Sequence, residues 1–204
     1  MSQQILMIHG GMTFKSEEEY LDYLKSKKIE LDQMVAHDYW SRNLAKDLGE
    51  SYLMLTPKMP NSTNARYNEW KVWFENILTV LDEEIILIGH SLGGIFLVKY
   101  LSENKIDKKI KATFLLGAPF DEELGEESLA DFALPKDLSG FTTQAGKMFF
   151  LHSQDDPCVP FDQLEKYQKS LPSAECLVFE NKGHFNEEKF PELADLIRET
   201  LNQA

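Results

Sequence analysis

Six short apolar runs punctuate the chain, at 3–9, 51–56, 84–89, 112–117, 147–153 and 175–180. Each has strand length and is nearly continuous in Ile, Leu, Val, Met and Phe instead of alternating, which is the pattern of strands buried on both faces. Between them lie amphipathic stretches at 39–48, 67–81, 92–104, 161–171 and 190–203, with apolar positions at helical spacing. Strands alternating with helices imply right-handed crossovers and a parallel sheet covered on both sides. The pattern therefore predicts one doubly wound α/β domain over residues 1–204. Its sheet is mostly parallel, has about six strands and contains no internal repeat. A chain of 204 residues suffices for one core that hides roughly 70% of the unfolded surface.

Two stretches interrupt this alternation. Residues 12–38 separate the first strand from its helix by far more than an ordinary loop, and their charge pattern predicts an added helix with polar faces. Residues 119–146, acidic and broken by Gly and Pro, follow the fourth strand. Both are candidates to overhang the carboxyl ends of the strands as lid elements, because ligands bind there in such sheets. Tolerated surface insertion is the competing reading.

The third run ends in Gly89, His90, Ser91, Leu92 and Gly93, a G-x-S-x-G pentapeptide. By chance such a match is common, but here it follows a strand pattern and opens a helix pattern, the context that exposes a serine on a sharp turn. The helix N-terminus adds partial positive charge where an oxyanion would develop. The alternative is a serine that merely caps the helix.

A serine hydroxyl needs a base, and the base needs an orienting carboxylate, in the chain order Ser, acid, His for this architecture. The acid is sought after the fifth strand, in "HSQDDPCVP" at 152–160, and the base after the sixth, in "NKGHFN" at 181–186. Ser91, Asp156 and His184 are the candidate catalytic residues, with His184 as base and then acid, and Asp156 fixing its tautomer. Of the five histidines only His184 lies in a loop directly after the last strand. His9, His90 and His152 read as supporting residues at strand ends, and His37 falls in the first insertion. Asp155 competes with Asp156; the D-x-x-V-P spacing favours Asp156 and leaves Asp155 to bond nearby backbone. Cys158 reads as a small packed residue more than as a reactive thiol. An oxyanion hole needs two converging N–H groups: Leu92 supplies one, and Gly11 the other, with Gly10 permitting the turn and Met12 as fallback. This requires the first strand beside the third, as in the order 2-1-3-4-5-6, with the site where that order reverses.

Composition removes several alternatives. With 21 Lys and Arg against 34 Asp and Glu, the net charge of -13 disfavours nucleic acid and anionic lipid as partners. The sequence shows neither a secretory leader nor a membrane-spanning run, so a soluble, cytoplasmic protein is expected. Cys158 and Cys176 are read as reduced thiols. With no CxxC and no HExxH, no metal site is expected, and no cofactor either, since neither "HGGM" nor "GHSLGG" fits a phosphate loop.

Taken together, "IHGG", "MPNSTNARYNEW", "GHSLGG", "SQDDPCVPF" and "GHF" closely resemble the small YdeN-type and retinoblastoma-binding serine hydrolases of the α/β-hydrolase superfamily. The resemblance spans nearly the whole chain outside 12 to about 37, and "MPN...AR..W" at 59–70 is its most specific element. It implies a reduced α/β-hydrolase core without a large cap and places the triad on Ser91, Asp156 and His184; it supplies no substrate. In the same stretch, Trp70, Trp73, Phe74 and Ile77 repeat as a core-facing stripe, and Arg66 reads as a loop anchor. The expected activity is hydrolysis of small esters, thioesters or amides through an acyl-enzyme, esters first because of their good leaving groups. A non-catalytic interaction module on the same fold is the alternative from another class. An acyltransferase or cofactorless perhydrolase would use the same triad.

Overall fold

The computed structural model describes residues 2–35, 40–122 and 128–202. His37 and residues 123–127 of the second insertion lie outside the described residues. Six strands, β1 (Gln3–Ile8), β2 (Tyr52–Leu55), β3 (Glu84–His90), β4 (Lys109–Leu116), β5 (Lys147–Ser153) and β6 (Glu175–Phe179), form one sheet in the order β2-β1-β3-β4-β5-β6. Every pairing is parallel. The helices are α1 (Glu17–Ser26), α2 (Trp40–Leu48), α3 (Tyr67–Leu78), α4 (Leu92–Glu103), α5 (Ser139–Gln144), α6 (Asp162–Ser170) and α7 (Pro191–Asn202). Among the described residues no helix is long and apolar enough to cross a membrane.

The unbroken apolar runs follow from two cores. Successive strand side chains point to opposite faces, so Leu6 and Ile8 join the core under α3, α4, α5 and α6, while Ile5 and Met7 join the core under α2 and α7. The first core is held by aromatic rings packed edge to face, with Trp70 5.6 Å from Phe96 and 5.2 Å from Phe132. In the second, Phe114 and Phe149 stack at 4.8 Å across adjacent strands. Burying one such side chain contributes about 1.5–3 kcal/mol, so both faces must be covered for the sheet to persist.

Three details depart from the apolar pattern. The fourth strand begins at Lys109, ahead of its apolar run, because Lys109 and Lys111 both reach Glu84 of β3 at 2.7 and 2.8 Å. Trp73, expected in the core stripe, is 44% exposed and donates its indole N–H to Lys58 O at 3.1 Å. Short, polar α5 was not foreseen; it buries Phe141 and is tied to the end of α4 by Gln144, which donates to Leu101 O and Asn104 O.

Candidate active site

Strand β3 stops at His90, α4 starts at Leu92, and the residue between them, Ser91, adopts φ 54°, ψ -124°. A non-glycine residue in that region is strained by roughly 1–3 kcal/mol, and the turn is held from both sides. Ser91 N–H donates to Leu116 O of β4 at 2.8 Å, and Ser91 O accepts from Gly94 N–H at 2.8 Å. The helix starts so close to β1 that a Cβ on Gly93 would lie 2.2 Å from Ile8 O and 2.6 Å from His9 O, which admits only glycine. Ser91 therefore stands at the mouth of the sheet, lining a cavity of about 670 Å³. Its hydroxyl has no hydrogen-bond partner among the described residues.

Asp156 lies in the loop after β5, its side chain fully buried, and His184 in the loop after β6. His184 Nδ1 is 2.8 Å from Asp156 Oδ2 and 3.0 Å from Oδ1. Oδ1 also accepts from the Cys158 and Val159 amides at 2.8 and 2.9 Å. Burial pushes the Asp156 carboxyl up, but the His184 contact and these two amides outweigh it and hold it below its ordinary value. An ionised carboxylate only accepts, so Nδ1 carries the proton and Nε2 presents the lone pair. Asp155 points elsewhere: its Oδ1 accepts from Ser153 Oγ at 2.5 Å and Gly183 N–H at 2.9 Å, bracing the histidine loop.

The supporting histidines hold this frame. His90 Nε2–H donates to His184 O at 2.8 Å, and burial, with repulsion from the His184 ring, pushes the His90 imidazole down to about 4. Trp40 of α2 donates its indole N–H to Phe185 O at 2.8 Å and its amide to Glu187 O at 2.9 Å. His9 Nε2 accepts from Met59 N–H at 2.9 Å, so its Nδ1–H donates to Gly10 O at 2.6 Å and orients the glycine turn after β1. His152 Nε2–H donates to Val159 O at 2.9 Å.

Of the candidate oxyanion donors, Met12 N–H is committed to Ser62 O at 2.8 Å. Gly11 and Leu92 N–H have no acceptor among the described residues, and both residues line the cavity beside Ser91. The loop 59–66 grips the segment after β1: Thr13 Oγ1 donates to Ala65 O at 2.9 Å, and Arg66 Nη1 to Phe14 O at 2.6 Å. The two insertions meet through an antiparallel bridge between Thr13 and Ser128 and an ion pair between Lys15 and Glu122 at 3.3 Å. Phe14, Tyr23 and Lys27 from one, and Ser128 and Leu129 from the other, line the same cavity as Ser91.

Two contributors escaped the sequence reading. Phe14 packs on Tyr20 and Tyr23 with ring centres 5.3 and 5.1 Å apart, an aromatic wall inside a charged segment. Gly117 (φ 51°) ends β4 directly beneath the acid and the histidine: a Cβ there would lie 3.1 Å from both Asp156 Oδ2 and His184 Nδ1. Its only signal was a glycine closing an apolar run.

A family model described as serine hydrolase matches residues 33–197. Serine hydrolase RBBP9 of Rattus norvegicus is 26% identical over 153 residues, covering 74% of this chain and 78% of the relative. The ydeN gene product of B. subtilis superposes with a TM-score of 0.78 at 19% identity, covering 98% of this chain and 100% of that one. The 2-hydroxy-6-oxo-6-phenylhexa-2,4-dienoate hydrolase of Rhodococcus sp. strain RHA1 superposes with a TM-score of 0.67 at 14% identity, covering 98% and 91%. The chain thus has the fold of these solved structures, the α/β-hydrolase fold. Since the family match runs from ahead of α2 into α7, the chain belongs to the serine hydrolase family.

Proposed function

We propose that the chain is a carboxylesterase-type hydrolase of small esters that works through Ser91, His184 and Asp156 and an acyl-enzyme. The observation that carries this reading is the convergence at the carboxyl ends of β3, β5 and β6. A strained serine turn faces the cavity there, its neighbour His90 bonds His184 O at 2.8 Å, and the His184 Nδ1 is held by a buried carboxylate at 2.8 Å. Ser91 Oγ attacks the acyl carbon while His184 Nε2 takes its proton. The carbonyl oxygen becomes an oxyanion between the N–H groups of Gly11 and Leu92, at the positive end of α4. Collapse of this intermediate expels the alcohol, which receives the proton from His184. Water then attacks the acyl-enzyme by the same route, and the acid and free Ser91 are regenerated. Contacts between nucleophile and base commonly tighten only when substrate binds, consistent with the unpartnered Ser91 hydroxyl. Thioesters and amides are slower substrates of the same site. The segments 12–38 and 119–146 act as lid elements, with Phe14, Tyr23 and Leu129 as the apolar wall against the bound molecule.

The test is labelling by a fluorophosphonate probe together with p-nitrophenyl acetate turnover, in wild type and Ser91→Ala. Loss of labelling and a fall in turnover of up to about a millionfold in the variant are expected. A folded wild type that neither labels nor turns over would overturn the reading.

A further inference from the structure

We propose that Asp156, Cys158 and His184 form a binding site for a thiophilic divalent cation of the zinc type, and that an ion bound there switches the hydrolase off. One donor atom from each, a carboxylate oxygen, a thiol sulfur and a ring nitrogen, all lie within 4.8 Å of one another. Around tetrahedral zinc, sulfur sits at about 2.3 Å and nitrogen and oxygen at about 2.0–2.2 Å, so the present spread closes on an ion with side-chain shifts on the order of 1 Å. The turn after β5 builds most of the site. Oδ1 of Asp156 accepts the Cys158 and Val159 amides at 2.8 and 2.9 Å, which fixes acid and thiol two residues apart beside His184.

The donor set is selective. Thiolate with imidazole and one carboxylate suits zinc and its heavier analogues and is a poor match for magnesium or calcium, which prefer oxygen ligands. Neither cysteine forms a disulfide, and Cys158 lines the 670 Å³ cavity, so an ion has a path to it. As the bond from Sγ to the metal forms, the thiol proton leaves to solvent. Three protein ligands leave a fourth position for water or for an anion in the cavity. The sequence concealed this set because it carries no paired-cysteine or paired-histidine motif; the histidine stands 28 residues beyond the acid.

Either ring nitrogen gives the same outcome. An ion on Nε2 occupies the lone pair that would take the Ser91 proton. An ion on Nδ1 displaces its proton and draws Asp156 away from the ring. Inhibition thus rests on the esterase reading above, whereas binding does not.

The experiment titrates the purified full chain with cadmium, following the ultraviolet thiolate-to-cadmium charge-transfer band, and with zinc in a calorimeter. Wild type, Cys158→Ser, Cys158→Ala and Cys176→Ser are compared, with thermal melts to verify folding. Fluorophosphonate labelling and p-nitrophenyl acetate turnover are measured with and without zinc, and again after EDTA, each variant against its own metal-free rate. We expect one ion per chain, a band in wild type and Cys176→Ser that both Cys158 variants lose, and EDTA-reversible inhibition that they lose as well. A band or inhibition unchanged in folded Cys158 variants overturns the proposal. A metal-free chain inert to probe and ester that still shows the Cys158-dependent band would overturn the esterase reading and support the site.

Discussion

His184 holds its Nδ1 between the two oxygens of Asp156, at 2.8 and 3.0 Å, while the preceding Asp155 turns its own oxygen onto Ser153 and Gly183. Two adjacent acids therefore serve different ends, and substitution separates them. Asp156→Asn preserves shape but no longer enforces the Nδ1–H tautomer, so kcat toward p-nitrophenyl acetate is expected to fall by about ten-thousandfold. Asp155→Asn should lower the melting temperature by loosening the 181–186 loop and leave kcat within a small factor of wild type. Equal kinetic damage from both would assign the wrong acid.

Ser91 occupies a backbone region that costs an L residue about 1–3 kcal/mol and costs glycine almost nothing. Ser91→Gly is expected to abolish turnover and raise the unfolding free energy in urea by about that amount. A destabilised variant would show that the hydroxyl's contacts outweigh the strain.

His90 should shape the acid side of the stability curve. Its pKa is pushed from 6.5 to about 4 by burial and by the neighbouring His184. Between those values the unfolded chain binds a proton that the folded chain refuses, so stability declines as pH falls from about 6.5 toward 4, by up to about 3 kcal/mol. Above 6.5 the group contributes no slope. In melts across this range, the gap between wild type and His90→Gln should shrink on acidification. A gap independent of pH would remove His90 as the cause.

Two glycines should respond differently to alanine. At Gly93 the new methyl would meet Ile8 O at 2.2 Å, a clash between backbones that cannot give way, so Gly93→Ala is expected to cost more than about 4 kcal/mol or prevent folding. At Gly117 the neighbours are the Asp156 and His184 side chains at 3.1 Å, which can shift. Gly117→Ala should therefore fold and lose a larger share of kcat than of stability, measured by parallel kinetics and urea melts.

Arg66 gives a prediction for the cavity wall. Its guanidinium holds Phe14 O at 2.6 Å, and Arg66→Ala frees the segment that carries Phe14 toward the cavity. KM should rise with kcat nearly unchanged, since the loss is in uniform binding. A fall in kcat alone would point instead to a disturbed oxyanion turn.

The sheet was legible because strands buried on both faces cannot hide their composition: the stretches 85–88 and 148–151 inside two of the runs are wholly apolar. The serine turn was legible because Gly89 and Gly93 are dictated by backbone contact. What stayed hidden depends on side chains meeting across distance. Helix α1 buries none of its residues, so no periodicity reveals that Tyr23 faces the same cavity as Ser91. Helix α5 reads "SGFTTQ", too short and polar to announce itself, and its place follows from Phe141 and from Gln144 bonding the end of α4. Trp73 shows the converse error: helical spacing aligns it with the core stripe, but α3 turns it outward beyond Phe74.

Sheet order also governs when the chain acquires its chemistry. Ser91 and the glycine turn after β1 come together once β1, β3 and β4 have paired, all from the first 116 residues. His184 arrives only after β6, the last strand in chain order, has joined the edge of the sheet beside β5 and Trp40 has clasped the loop that follows. On the proposed reading, a growing polypeptide carries its serine long before it carries its base. On that reading, nascent chains that stop short of β6 are expected to be inert toward esters, because the contacts that place His184 are distant in sequence and close slowly.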